Sequence, residues 1–181
     1  MDHLYEKTTK VTEIFKGNVI KVQVEEVELP NGKTGTREIV KHPGAVAILP
    51  ITKEGKLVLV RQYRKALDKT IVEIPAGKLE KNEEPLQSAK RELQEETGYL
   101  AGKLEYIVSF YTSPGFANEL IYFYIAEELE EGPSRLDEDE FLDVMEVSLQ
   151  EAEEMIRNEI IHDAKTLFAV EYLKVKKLAM A

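Results

Sequence analysis

A proline at position 85 and a glycine at position 98 bracket the segment that most restricts how this chain can fold. Proline suits the first turn of a helix, where its missing N–H would have no intrahelical partner anyway. Glycine suits the residue just past a helix, where the chain turns left-handed. Between them Leu86, Ala89 and Leu93 recur at helical spacing and predict one apolar stripe. Glu95 and Glu96 follow Glu92 at i+3 and i+4, so three carboxylates can gather at one end of one face. Like charges at that spacing repel, a local cost with no gain in stability. Clustered hard oxygens are what Mg²⁺ requires, with phosphates and water filling the rest of its shell. By themselves the three acids also suit a solvated helix on an acidic protein.

Acidity is general here. The net charge is −10 and no stretch is strongly basic, which argues against nucleic acid and anionic membrane as partners. A polyphosphate substrate would need cations and a few placed arginines to overcome the repulsion. There is no cysteine, which excludes disulfides and thiolate chemistry. The opening residues MDHLYEKTTK are charged, and no run approaches the roughly 20 apolar residues of a membrane span. The expected location is therefore cytoplasmic.

Residues 11–29 read as strand. Ile20, Val22 and Val24 alternate with polar neighbours, then Val27 and Leu29 resume in the opposite phase, and a bulge at Glu25–Glu26 would account for the slip. Pro30-Asn31-Gly32 is a turn signal, with Thr36 to Val40 as the returning strand. Residues 1–42 thus read as a small antiparallel β-sheet appendage to a domain over residues 43–181. Such a hairpin is marginal alone, so it should pack on the remainder or on a second subunit. Beyond the joint at His42-Pro43-Gly44, strands are expected at 45–49, 57–63, 71–74, 104–111, 120–126 and 144–147. Residues 127–140 read as an acidic loop. Ser148 with Glu151 makes a capping-box signature. Asp163 is placed to cap a last helix in which Leu167, Val170, Leu173 and Val175 face inward. Strands before and after a central helix, with another helix at the end, predict an α/β sandwich.

Gly77, Glu83 and the run Arg91-Glu92-Leu93-x-Glu95-Glu96-x-Gly98-Tyr99 fill every fixed position of a longer pattern. The stretch resembles the Nudix box, with Tyr99 where an aliphatic residue is more usual. The resemblance implies a Nudix α/β/α sandwich with a mixed sheet, and hydrolysis of a nucleoside diphosphate linked to another moiety. It implies Glu92, Glu95 and Glu96 as metal ligands, joined by the backbone carbonyl of Ala76. The implied cofactor is Mg²⁺, two or three ions, with Mn²⁺ or another divalent cation as substitute. Glu83 and Arg91 read as an ion pair fixing loop against helix.

Further stretches resemble the ADP-ribose pyrophosphatase subgroup of that family. Pro114, in Ser113-Pro114-Gly115, matches a mark of the subgroup at its substrate site, although Pro-Gly also makes ordinary turns. Glu119 matches an acid that meets the terminal ribose. Residues 136–141 resemble an acidic loop on which Glu138 is the base toward water and Glu140 a metal ligand; Asp137 and Asp139 could substitute geometrically. With Glu138, Glu92 and Glu96 form the implied catalytic set. Arg37, Arg61 and Arg64 are candidate contacts to phosphate or adenosine, since a guanidinium forks onto phosphate oxygens, or else ion pairs of the surface. Glu73 either accepts from the adenine amino group or pairs with a basic neighbour. Tyr5 and Phe15 are candidate platforms for adenine, or packing residues. The implied reaction is hydrolysis of ADP-ribose to AMP and ribose 5-phosphate, by a homodimer whose N-terminal sheet reaches across to its partner. The alternatives are another sugar nucleotide such as GDP-mannose, or a sensor that binds ADP-ribose without cleaving it.

Overall fold

Residues 2–133 and 141–179 are described by a computed structural model. They divide into two units, Met1–Gly44 with Phe110–Ile121, and Ala45–Ser109 with Tyr122–Ala181.

In the first unit β1 (Lys7–Lys16), β2 (Lys21–Glu28) and β3 (Thr34–Lys41) form an antiparallel meander. The turn signal at Pro30-Asn31-Gly32 is used as expected. Gly32 takes φ +77°, and its N–H donates to the Leu29 carbonyl at 2.8 Å. The single strand expected over 11–29 is in fact two, because the chain reverses at Gly17–Ile20, where the Gly17 N–H donates to the Ile20 carbonyl at 2.9 Å. The expected bulge also lies elsewhere. β2 pairs with β3 without a break, and the register slips on β1, between Thr8 and Lys10 and again between Glu13 and Phe15. β1 is exposed along its whole length. With neither face buried, nothing imposes a period of two on its sequence.

The second unit holds β4 (Ala45–Pro50), β5 (Leu57–Arg64), β6 (Lys69–Glu73), β7 (Ala76–Lys78) and β10 (Leu142–Val147). It also holds β8 (Tyr99–Tyr111) and β9 (Leu120–Glu131), apart from their shared tip at 110–121. One sheet runs β10-β5-β6, the other β7-β4-β9-β8. β4 is buried throughout, which is why it reads as an unbroken apolar run. Val46 and Ile48 of β4 share a core with Tyr124 and Ala126 of β9 and with Ala89 and Leu93 of α1 (Pro85–Thr97). Phe123, one residue out of phase, packs edge-on against Phe168 and Tyr172 of α3 (Ala164–Ala179), at ring-centroid distances of 5.1 and 6.1 Å. Successive strand side chains point to opposite faces, so helices cover both sides and the expected α/β/α sandwich is formed. α2 (Leu149–Arg157) opens with the expected capping box. Ser148 Oγ accepts from the Glu151 N–H at 3.2 Å, and Glu151 Oε2 accepts from the Ser148 N–H at 2.7 Å.

Three local expectations are corrected. Leu86 is 39% exposed, so the buried stripe of α1 is narrower than its pattern suggests, and Val175 is 63% exposed rather than inward. β9 continues to Glu131 where a loop was expected from 127. There Glu127 takes a salt bridge from Lys103 of β8 at 2.6 Å, so charge pairing stands where apolar alternation would have signalled strand. No helix among the described residues is long and apolar enough to cross a membrane.

Candidate metal and diphosphate site

Two pieces of backbone in the second unit build this site: the corner from Ile74 to Gly77, which leads into β7, and the C-terminal half of α1. Gly98 ends α1 as its sequence requires, at φ 73° with its N–H on the Gln94 carbonyl. That fixes where Glu92, Glu95 and Glu96 emerge. Glu96 Oε2 accepts from the Ala76 N–H at 3.1 Å. At Gly77 an added Cβ would fall 1.8 Å from the carboxyl carbon of Glu92. The carboxylates of Glu92 and Glu96 therefore both lie against the Ala76–Gly77 backbone, and they are only 7% and 3% exposed.

Arg91 ties in the third acid. Its Nη1 donates to Glu92 Oε1 and to Glu95 Oε2, each at 2.8 Å, so these two oxygens lie within twice that distance of each other. Nε and Nη2 meanwhile grip the two oxygens of Glu83 at 3.0 Å each. The expected Glu83–Arg91 pair is present and reaches further than expected, because the same guanidinium is counter-ion to two of the clustered acids. Like-charge repulsion along the helix is offset there.

The hydrogen bonds from Arg91, helped by the Glu80 N–H, outweigh the opposing effect of burial and pull the Glu83 carboxyl down to about 2, and Glu83 in turn holds the Arg91 proton more tightly than usual. A carboxyl whose folded value is depressed stabilises the fold above its unfolded value, here 4.5, and that stability is lost as pH falls through about 2. The difference corresponds to at most roughly 3 kcal/mol. Urea unfolding midpoints of the wild type and of Glu83→Gln are expected to lie well apart at pH 7 and to approach one another between pH 4.5 and 2. A separation that does not change over that range would show that the pair contributes nothing by its charge.

The donor set suits a hard divalent cation. It comprises carboxylates of Glu92, Glu95 and Glu96 and the backbone of Ala76. Among the described residues no three His, Cys, Asp or Glu side chains form a closed metal-binding group. Mg²⁺ does not need one, since it keeps several waters and takes one or two carboxylates together with substrate phosphates. Two buried carboxylates against one backbone corner meet that requirement.

Elsewhere in this unit Glu73, 3% exposed, is paired twice. Arg64 Nε donates to its Oε2 and Lys165 Nζ to its Oε1, both at 2.5 Å. Each oxygen of Glu73 thus has a basic neighbour. Lys165 was not singled out by sequence; it lies 92 residues from Glu73, and no local pattern marks such a contact. Arg61 pairs with Asp143 at 3.1 Å on an exposed edge. In the first unit Arg37 bonds both oxygens of Glu6 through Nε and Nη2. Glu119 accepts from Thr112 Oγ1 at 2.6 Å, with His42 Nδ1 3.6 Å away. Pro114 sits in a turn closed by the N–H groups of Phe116 and Ala117 on the Ser113 carbonyl. Tyr5 and Phe15 are each 54% exposed. Glu138 and Glu140, with Asp137 and Asp139, lie outside the described residues.

Residues 41–168 match the NUDIX domain, and residues 6–40 match the nucleoside diphosphate sugar hydrolase N-terminal domain. The chain is 56% identical over 183 aligned residues to an ADP-ribose pyrophosphatase of Bacillus subtilis (strain 168), covering 100% of this chain and 99% of that one. It is also 56% identical over 174 residues to a methanol dehydrogenase activator of Bacillus methanolicus, covering 95% and 94%. A solved ADP compounds hydrolase superposes with a TM-score of 0.82 over 94% of this chain and 95% of that one; at 22% identity this is a likeness of fold.

Proposed function

The chain belongs to the NUDIX family, and from that membership we propose that it hydrolyses the diphosphate of ADP-ribose to AMP and ribose 5-phosphate. The observation that carries the reading is the convergence of Glu92 and Glu96 on the Ala76–Gly77 backbone, with Glu95 drawn in by Arg91. End-to-end similarity to the Bacillus subtilis pyrophosphatase supports the choice of substrate.

Glu92, Glu95, Glu96 and the Ala76 carbonyl hold divalent cations, with Glu140 as a further ligand; Mg²⁺ is the expected ion, in two or three copies, with Mn²⁺ as substitute. Such ions neutralise phosphoryl oxygens and make a bound water acidic. Water oxygen bonds to one phosphorus while the bridging P–O bond breaks, and the leaving phosphate keeps the bridging oxygen. Glu138 takes the proton of that water. Arg64, with Arg37 and Arg61, holds the diphosphate and the adenosine end. Glu119 accepts from the hydroxyls of the terminal ribose beside the Pro114 turn. Glu73 serves binding from behind Arg64. Residues 43–181 are the hydrolase domain, and residues 1–42, with β1 exposed along its length, form the contact of a homodimer. A cytoplasmic location suits the substrate.

The test is a product assay with ADP-ribose and Mg²⁺ in ¹⁸O-labelled water. AMP and ribose 5-phosphate are expected, one of them labelled, with turnover lost on chelation and faster than for GDP-mannose at equal concentration. Preference for GDP-mannose would reassign the substrate. Saturable binding without products would make the protein a sensor. The equal identity to a methanol dehydrogenase activator favours a second role on a partner enzyme. Turnover of a methanol dehydrogenase with and without this chain, as wild type and as Glu96→Gln, tests it.

A further inference from the structure

We propose that Lys165 is a positioning residue for substrate: by occupying one oxygen of Glu73, it makes Glu73 hold Arg64 through Nε alone and leaves the terminal nitrogens of Arg64 for the diphosphate. The inference rests on the reading of Arg64 as a phosphate contact.

A carboxylate beside a guanidinium ordinarily takes it as a two-pronged fork, and this chain does so twice. Arg37 places Nε and Nη2 on the two oxygens of Glu6. Arg91 places Nε and Nη2 on the two oxygens of Glu83. Glu73 and Arg64 break that pattern. Only Nε reaches Glu73, at Oε2, and Oε1 accepts from Lys165 instead. Among the described residues the Nη1 and Nη2 groups of Arg64 have no bonded partner, and its side chain is 38% exposed, so the open prongs can meet an anion from solution. Lys69 sits directly across the strand pair from Arg64, a like charge that an arriving anion would relieve.

Lys165 is itself fixed. Its side chain is 11% exposed, and Nζ also bonds Asp163 Oδ1 at 2.8 Å. The same oxygen accepts the Thr166 N–H at 3.2 Å, and Thr166 Oγ1 accepts from the Ile74 N–H at 3.0 Å. The first turn of α3 is thereby locked to the residues around Glu73. Two acids and two bases make the network neutral, so every member must be present for the buried Glu73 to stay half-committed to Arg64.

Steady-state kinetics with ADP-ribose test this. In Lys165→Met, Glu73 is released to take Arg64 as a fork, and KM is expected to rise by about tenfold, the loss of one charge-assisted hydrogen bond to phosphate, with kcat nearly unchanged. Lys165→Arg, which can bond both acids, is expected to restore KM. Arg64→Ala should raise KM at least as far, and adding Lys165→Met to it should change little more, since the two act through one contact. If Lys165→Met does not fold, Asp163→Asn loosens Lys165 without uncovering Glu73, and a smaller rise in KM is expected. A KM raised in Arg64→Ala but unmoved in the position-165 and position-163 variants overturns the proposal alone. So does a kcat that falls in step with melting temperature while KM stays fixed, because that marks a structural role. A KM unmoved in Arg64→Ala overturns the reading of Arg64 and this proposal with it.

Discussion

Replacing Glu96 by glutamine is expected to lower turnover by roughly two orders of magnitude or more, the scale of losing a ligand that stabilises developing charge, while leaving the fold intact. Glutamine is nearly isosteric with glutamate and keeps an oxygen to accept from the Ala76 N–H, now bonded by Oε2 at 3.1 Å. What it lacks is the charge. Glu96 is 3% exposed, and a carboxylate at that depth is costly unless a cation or donors compensate it. Removing the charge should therefore leave the melting temperature of the cation-free protein level or slightly higher. The two states separate in Mg²⁺. A ligand that binds only the folded chain raises its stability by mass action, so the rise in melting temperature with Mg²⁺ seen for wild type should shrink in the variant. Differential scanning fluorimetry across a Mg²⁺ series checks this without reference to turnover. Near-normal activity together with an undiminished Mg²⁺ shift would remove Glu96 from the metal site.

Alanine at position 77 should damage the same site from the other side. The new Cβ would lie 1.8 Å from the carboxyl carbon of Glu92 and 1.9 and 2.1 Å from its two oxygens. No positive φ is involved at Gly77, so the whole cost is steric. Either Glu92 swings away, losing its seat against the position-77 backbone and its bond from Arg91 Nη1, or β7 shifts. A shift of β7 costs about 1–3 kcal/mol, a swing of Glu92, met at the far end of its side chain, costs less, and the displaced carboxylate should lower kcat by on the order of a hundredfold. Gly115 is the control. Nothing lies within 4 Å of a Cβ placed there, and Gly115→Ala should be close to neutral in urea unfolding. Equal, small effects from the two substitutions would mean that Glu92 does not rest on β7.

Part of this protein could be read without coordinates, and the part has a physical boundary. α1 begins at Pro85 and stops at Gly98, and the box at Ser148 and Glu151 closes as written, because each is settled by residues within a turn of one another. The clustered acids belong to the same class, since one helix turn is enough to bring Glu92, Glu95 and Glu96 together. β4 was legible because burial on both faces forces an apolar run. β1 was not, because an exposed strand is free to carry any polar sequence.

Tertiary structure alone decided the rest. Leu86 and Val175 follow a helical period yet face solvent, since the period shows which residues share a side but not how wide a neighbour will cover it. Arg91 reaches Glu92 and Glu95 within its own helix, but that Gly77 makes room for Glu92, and that Glu73 is divided between Arg64 and Lys165, the latter 92 residues away, are outcomes of strands and helices meeting. Short-range sterics and hydrogen bonding are written into neighbouring residues; which distant charge fills the second oxygen of a carboxylate is settled only when the layers pack.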